Sequence, residues 1–191
     1  MDQLISNQLT MFDVQNYEYS FIVSPIKRIK TGVNYIRKHI NDVIPISDKD
    51  LSSVPHISLL RVKYANDDNF ILSLFKQALM YSKKFKVELN GLNFLDNKNT
   101  KMVYLNIANP EPILSIHKNL LSTFRFKEET YVPHLTVARA IANSDANKIE
   151  GRIPEYNDHF WCSKIVVLKK PVTGSKTGSA KYTRIYEALL N

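Results

Sequence analysis

The chain has 191 residues, 44% hydrophobic and 23% charged, and 26 Lys+Arg against 18 Asp+Glu give it a net charge of +8. Such a composition describes one globular unit, or two small lobes sharing a core, with a basic bias that favours polyanionic partners. It excludes a membrane-spanning helix, because no apolar run approaches the roughly 20 residues one requires, and the lone Cys162 excludes an internal disulfide and a cysteine-based metal cluster.

The opening stretch, "MDQLISNQLTMFDVQNYEYS", has an acidic second residue and no basic segment ahead of an apolar one. It reads as neither signal nor transit peptide; the single cysteine makes a reducing cytoplasm the expected home, and a monomer is expected. Residues 17–25 are rich in β-formers and predict a first strand. Residues 26–40 place Ile26, Ile29, Val33, Ile36 and Ile40 at helical spacing, with Lys27, Arg28, Lys30, Arg37 and Lys38 on the other face. Gly32 weakens that helix without ending it. After a loop, residues 56–62 predict a strand, and residues 67–82 a helix with acidic residues at its start and an apolar face from Phe70 to Leu79. Residues 85–95 and 101–108 flank the turn text "DNKNT" and predict a hairpin. A helix over 110–124, with prolines in its first turn, precedes a strand over 134–140. A short helix follows, and residues 163–172 and 181–189 close the chain as a hairpin around "TGSKTGSAK".

This order, β-α-β-α-β-β-α-β-(short helix)-β-β, predicts an α+β protein with mostly antiparallel sheets and helices on one face of each. One local text occurs twice: "VPHISLLRV" from Val54 and "VPHLTVARA" from Val132. A single bilobal domain over residues 1–191, with a pseudo-repeat half around each copy, accounts for the repetition.

On a strand, His56 and Ser58 point to one face and Ile57 to the other; His134, Thr136 and Leu135 behave the same way. If two lobes bring the copies together, two imidazoles and two hydroxyls surround one cavity. That set suits metal-independent phosphoryl chemistry. A neutral imidazole takes a proton from the attacking oxygen, and a protonated one delivers a proton to the leaving oxygen. The hydroxyls donate hydrogen bonds to the non-bridging phosphate oxygens, where charge builds in the transition state. The residues alone do not decide which histidine is acid and which is base.

With these residues, "HIS" at His56 to Ser58 and "HLT" at His134 to Thr136, the chain resembles the two-histidine (2H) phosphoesterase superfamily. The nearest branch is that of the 2′-5′ RNA ligase-like proteins and RNA 2′,3′-cyclic phosphodiesterases. The resemblance implies a bilobal fold with two pseudo-symmetric antiparallel sheets, outer helices and a central groove. It implies no metal and no organic cofactor. The partners it implies are RNA 3′ ends or small nucleotides carrying a 2′,3′-cyclic phosphate or a 2′-5′ linkage, hydrolysed to a 2′-phosphate in the cyclic case, with 2′-5′ ligation as the reverse. "PHLTVAR" also matches the family habit of an arginine soon after the second triplet, which makes Arg139 a candidate substrate contact. Ser58 stands where threonine is commoner and keeps the hydroxyl. The text after the first triplet lacks the aromatic-Gly ending frequent in the RNA ligase branch, which leaves the substrate open.

The spacing of Arg139 from His134 is odd, so an ideal strand turns it away from the site, and only a twist, bulge or strand end returns it. Arg61 has the same parity and no family match. Lys176 and Tyr182, in the closing hairpin, are candidate contacts for a phosphate chain and a base; Phe12, Tyr17 and Tyr19 read rather as packing. His39 and His117 read as surface or boundary residues on helices, and His159 has no partner in sequence. No His-x-x-x-His pair supports a metal. Two other readings stay open: a phosphodiesterase degrading a 2′-5′-linked or cyclic oligonucleotide signal, and a non-catalytic RNA-binding module.

Overall fold

The computed structural model describes residues 16–127, 130–172 and 180–191. Its elements are β1 (Asn16–Val23), α1 (Lys27–Val43), α2 (Asp48–Ser52), β2 (Ile57–Ala65), α3 (Asp68–Leu79), β3 (Phe85–Asn97), β4 (Thr100–Ile107), α4 (Glu111–Thr123), β5 (His134–Ala142), α5 (Asn143–Ile149), β6 (Asn157–Cys162), β7 (Lys164–Pro171) and β8 (Thr183–Leu189). Two elements are absent from the sequence expectation. The loop after α1 contains α2, started by Ser47, whose Oγ accepts the Asp50 N–H at 3.2 Å. The stretch after α5 contains β6, whose buried Phe160 and Cys162 alternate with exposed His159 and Trp161.

The strands form two four-stranded antiparallel sheets, ordered β2-β1-β7-β8 and β5-β4-β3-β6. The first sheet takes its strands from both ends of the chain, and the second is built from the middle. Each motif lies at an edge: His56 immediately precedes edge strand β2, and His134 opens edge strand β5. The two edge strands are in contact.

An exchange of helices holds them there. The helix α1, which precedes the first motif, packs on β5 and β6, whereas α4, which precedes the second, packs on β2 and α3. Both helices owe this to apolar stripes at i, i+3/i+4 spacing: Ile29, Val33, Ile36 and Ile40 on α1, and Ile113, Ile116 and Leu120 on α4, all buried. Each such side chain contributes about 1.5–3 kcal/mol when fully buried, so sliding one sheet past the other strips both stripes at once. Ile26, expected on the α1 stripe, caps the helix and is 45% exposed. Gly32 sits under the Tyr156 ring, where any Cβ would collide with it, so glycine is the residue that lets α1 and the segment before β6 approach. Among the described residues no helix is long and apolar enough to cross a membrane.

Candidate functional site

The two Val-Pro-His segments fold alike. His56 Nδ1 lies 2.8 Å from the Val54 carbonyl, and His134 Nδ1 lies 2.7 Å from the Val132 carbonyl. A carbonyl only accepts, so in each ring the Nδ1 proton is donated to it and Nε2 is left open. The intervening prolines restrict the backbone that brings each carbonyl back over its ring. Both histidines are half-buried, as are Ser58 and Thr136. Thr136 Oγ1 has only a long contact of 3.7 Å to Met102 Sδ. The His134 ring meets Tyr104 edge-on, with centroids 5.5 Å apart.

The parity objection to the two arginines is removed by a β-bulge in each motif strand. In β2, Leu60 pairs with Phe21 but Ser58 pairs with Ile22, so Leu59 is the extra residue. In β5, Ala138 pairs with Val103 but Thr136 pairs with Tyr104, so Val137 is the extra residue. Each bulge shifts the alternation by one. Arg61 therefore shares a face with Ser58, and Arg139 shares one with Thr136. Both arginines line one cavity of about 760 Å³ with His56 and Tyr182. The two motifs thus share a longer pattern, His-x-Ser/Thr-x-x-Arg, of which only the Arg139 half was expected to matter.

Side chains from the exchanged helices hold the bulges in place. Arg37 of α1, fully buried, donates from Nε to the Val137 carbonyl at 2.8 Å and through its other nitrogens to the Ser53 carbonyl (2.6 Å) and Ser53 Oγ (3.0 Å). It joins the lead-in of the first motif to the strand of the second. On the other side, His117 of α4 donates from Nδ1 to the Leu59 carbonyl at 2.7 Å, and the Tyr131 hydroxyl, in the lead-in of the second motif, donates to the Ser58 carbonyl at 2.6 Å. The His117 and Tyr131 rings stack at 4.1 Å. The Ser58, Leu59 and Val137 carbonyls belong to edge strands and need partners once buried.

The sequence puts Arg37 on the basic face of α1 and His117 at a surface or boundary position. Both are buried, because 37 lies one turn from 33 and 40, and 117 one turn from 113 and 120, on the same stripes as the isoleucines. Asp50 was missed altogether. Its buried carboxylate accepts the Arg139 N–H at 3.1 Å and lies 3.6 Å from the Arg139 guanidinium, fixing that arginine at the cavity rim.

Burial depresses the pKa of His56 below the ordinary histidine value, and the positive charges of Arg61, Arg139 and Arg37 push in the same direction against the Val54 hydrogen bond. Tyr182 donates its hydroxyl to Glu18, and Lys170 sits over its ring at 4.7 Å. Lys176 and Phe12 lie outside the described residues. Tyr19 is buried, its hydroxyl donating to Asp68 at 2.7 Å, and Tyr17 lies under Lys169. His39 bonds its own helix, and His159 is exposed on β6. Burial raises the Cys162 thiol to about 12, which disqualifies it as a nucleophile at neutral pH. Among the described residues no group of three or more His, Cys, Asp or Glu side chains is arranged to hold a metal.

Comparison with known proteins bears on this geometry. A family model described as the 2′-5′ RNA ligase superfamily matches residues 38–173. A protein of Geobacillus sp. (strain WCH70) that carries a provisional phosphoesterase name is 23% identical over 151 residues, covering 75% of this chain and 81% of its own. Among solved structures, TT0787 of Thermus thermophilus superposes with a TM-score of 0.68 at 14% identity, covering 91% of this chain and 97% of that one. E. coli LigT complexed with 3′-AMP gives a TM-score of 0.68 at 15% identity, covering 92% and 99%. At these identities the solved structures establish the shared α+β fold.

Proposed function

The chain belongs to the 2′-5′ RNA ligase superfamily, and from that premise we propose that it is a metal-independent phosphodiesterase opening 2′,3′-cyclic phosphates, or cleaving 2′-5′ bonds, in RNA or nucleotides. The observation that carries the reading is the matched pair of Nδ1–carbonyl clamps, which leave the Nε2 of His56 and of His134 open on edge strands that touch. Both rings are held in the tautomer that proton transfer at Nε2 requires.

The electrostatics divide the labour. Burial and three guanidinium groups oppose protonation of His56, so it is assigned as the base. In hydrolysis of a cyclic phosphate, His56 Nε2 takes a proton from water as the water oxygen bonds to phosphorus. The bond from phosphorus to the 3′ oxygen breaks, and His134, protonated on both nitrogens, gives its Nε2 proton to that oxygen. The product is a 2′-phosphate. The two rings then exchange their protons with solvent. Ser58, Thr136 and Arg139 hold the non-bridging oxygens, where the hydroxyls and the guanidinium meet the charge that develops there. Tyr182 lies along the same cavity as a surface for a base. With a 5′ hydroxyl in place of water, the same forward steps make a 2′-5′ linkage.

The test is turnover of a 2′,3′-cyclic nucleotide and of a 2′-5′-linked dinucleotide by purified protein in excess chelator, with His56→Ala and His134→Ala beside it. Turnover that survives the chelator and disappears in both variants supports the reading. Binding of RNA that persists in both variants, with no turnover by the unaltered protein on either substrate, replaces it with a non-catalytic RNA-binding module.

A further inference from the structure

The two arginines at the cavity are equivalent by position but not by setting. Arg139 is committed: buried Asp50 grips its N–H and faces its guanidinium. Arg61 has no ion pair among the described residues and is exposed. It stands at one end of a cross-strand row. Arg61 pairs with Ser20 of β1, Ser20 with Leu168 of β7, and Leu168 with Arg184 of β8. Side chains directly opposite one another share a face, so Arg61 and Arg184 bracket one wall of the cavity. The next row adds Lys170, and Lys181 lies at the rim.

The carboxylates on this wall are already engaged. Glu18 accepts from Tyr182 and pairs with Lys170 at 3.2 Å, and Glu187 pairs with Arg184 and Lys164 at 2.7 and 2.9 Å. Arg61, whose charge reaches Glu18 without forming an ion pair, is the arginine on this wall that no carboxylate among the described residues holds. Beside His134 the contacts are uncharged, with Tyr104 against the ring and Met102 against Thr136, and the cation on that strand is Arg139, which Asp50 holds. A cationic wall with an aromatic ring on it is the arrangement that tracks a single-stranded phosphate backbone. On the reading given above, a substrate with one phosphate is held by Ser58, Thr136 and the Asp50-oriented Arg139 and leaves this wall unused.

We propose that Arg61 and the wall of β1, β7 and β8 bind the phosphodiester that leads into the scissile phosphate, so that the protein prefers the cyclic-phosphate end of an oligoribonucleotide to the mononucleotide. This deepens the reading given above and rests on it. Phosphate contacts of this kind position the strand without selecting its sequence, so the preference follows chain length and not base identity.

The experiment compares kcat/KM for a tetraribonucleotide ending in a 2′,3′-cyclic phosphate with that for the 2′,3′-cyclic mononucleotide, in unaltered protein and in Arg61→Gln. The expected result is a preference of about ten-fold or more for the tetranucleotide, as one charge-assisted contact supplies, and a loss of most of it in Arg61→Gln, carried by KM. The salt dependence of the tetranucleotide reaction should become shallower in the variant by about 0.7 in logarithmic slope. An Arg61 that served only to depress the His56 pKa would move the pH profile of both substrates together and leave their ratio alone, which overturns the proposal. A parallel titration measures binding of a labelled tetraribonucleotide 2′-phosphate against a nucleoside 2′-monophosphate. Should neither cyclic substrate turn over, the catalytic reading fails by itself. The track then stands if the tetranucleotide binds about ten-fold tighter and Arg61→Gln removes that margin, and falls if it does not.

Discussion

The surroundings of His56 and His134 are built to one plan and charged to two. Each has a Val-Pro lead-in whose carbonyl takes the Nδ1 proton, a hydroxyl two places on, a bulge three places on and an arginine five places on. Each bulge carbonyl is bound by a buried side chain from an exchanged helix. Around His56, however, stand three guanidinium groups and a basic wall, whereas His134 meets the edge of Tyr104 and a methionine sulfur lies by its threonine. Duplicated backbone geometry thus puts two like-held imidazoles on touching strands, and unlike charge surrounds them. On the proposed reading, the shared geometry sets where the atoms are and the charge around His56 sets which way the protons go.

The severest way to break the comparison is to remove either ring. His56→Ala and His134→Ala should each lower kcat/KM by about 10²–10⁴-fold. Because the two act as a unit, the double variant should be little worse than either single one. A large loss from only one of them would mean that the likeness of the two motifs is architectural alone. Next comes the stitch between the lobes. Arg37→Met leaves the Ser53 and Val137 carbonyls without their donor, and should destabilise the fold by about 3 kcal/mol, read as a lower urea midpoint with unchanged m.

Asp50→Asn sharpens the contrast between the arginines. It frees Arg139 from its ion pair and should raise KM about five- to ten-fold, with a smaller effect on kcat, as the loss of one charged contact predicts. Tyr131→Phe removes the bond to the Ser58 carbonyl and should cost about 1 kcal/mol of stability. The gentlest probe is pH. A base must be unprotonated to act, so a depressed His56 pKa carries the acid limb of kcat/KM below the ordinary histidine value of about 6.5. An acid limb above that value would reverse the assignment of base and acid.

Much of this was legible in the sequence because the signals are local. The doubled Val-Pro-His text, the apolar stripes of α1, α3 and α4, and the "DNKNT" turn each declare themselves within a few residues, and the α+β class follows from their order. What escaped depends on partners distant in the chain. A bulge changes which face a residue takes and has no mark in "SLLR" or "TVAR", so Arg61 was discounted on parity. Arg37 and His117 carry polar side chains on apolar stripes. Their helical positions announced burial, but residue type suggested a surface, and only the unpaired edges of β2 and β5 explain why a guanidinium and an imidazole belong there. Asp50 sits on a five-residue helix too short for a periodic signal. The six-residue β6 alternates buried and exposed positions, but its polar residues hid the alternation.

The central claim is that both open imidazole nitrogens address one phosphorus atom. A crystal structure of the protein with a nucleoside 2′-monophosphate tests it directly. The account predicts one phosphate within hydrogen-bond reach, about 3 Å, of Nε2 of both His56 and His134, with the hydroxyls of Ser58 and Thr136 on its free oxygens. A phosphate seated against one ring only, or held by Arg61 and Lys170 away from both, would contradict it.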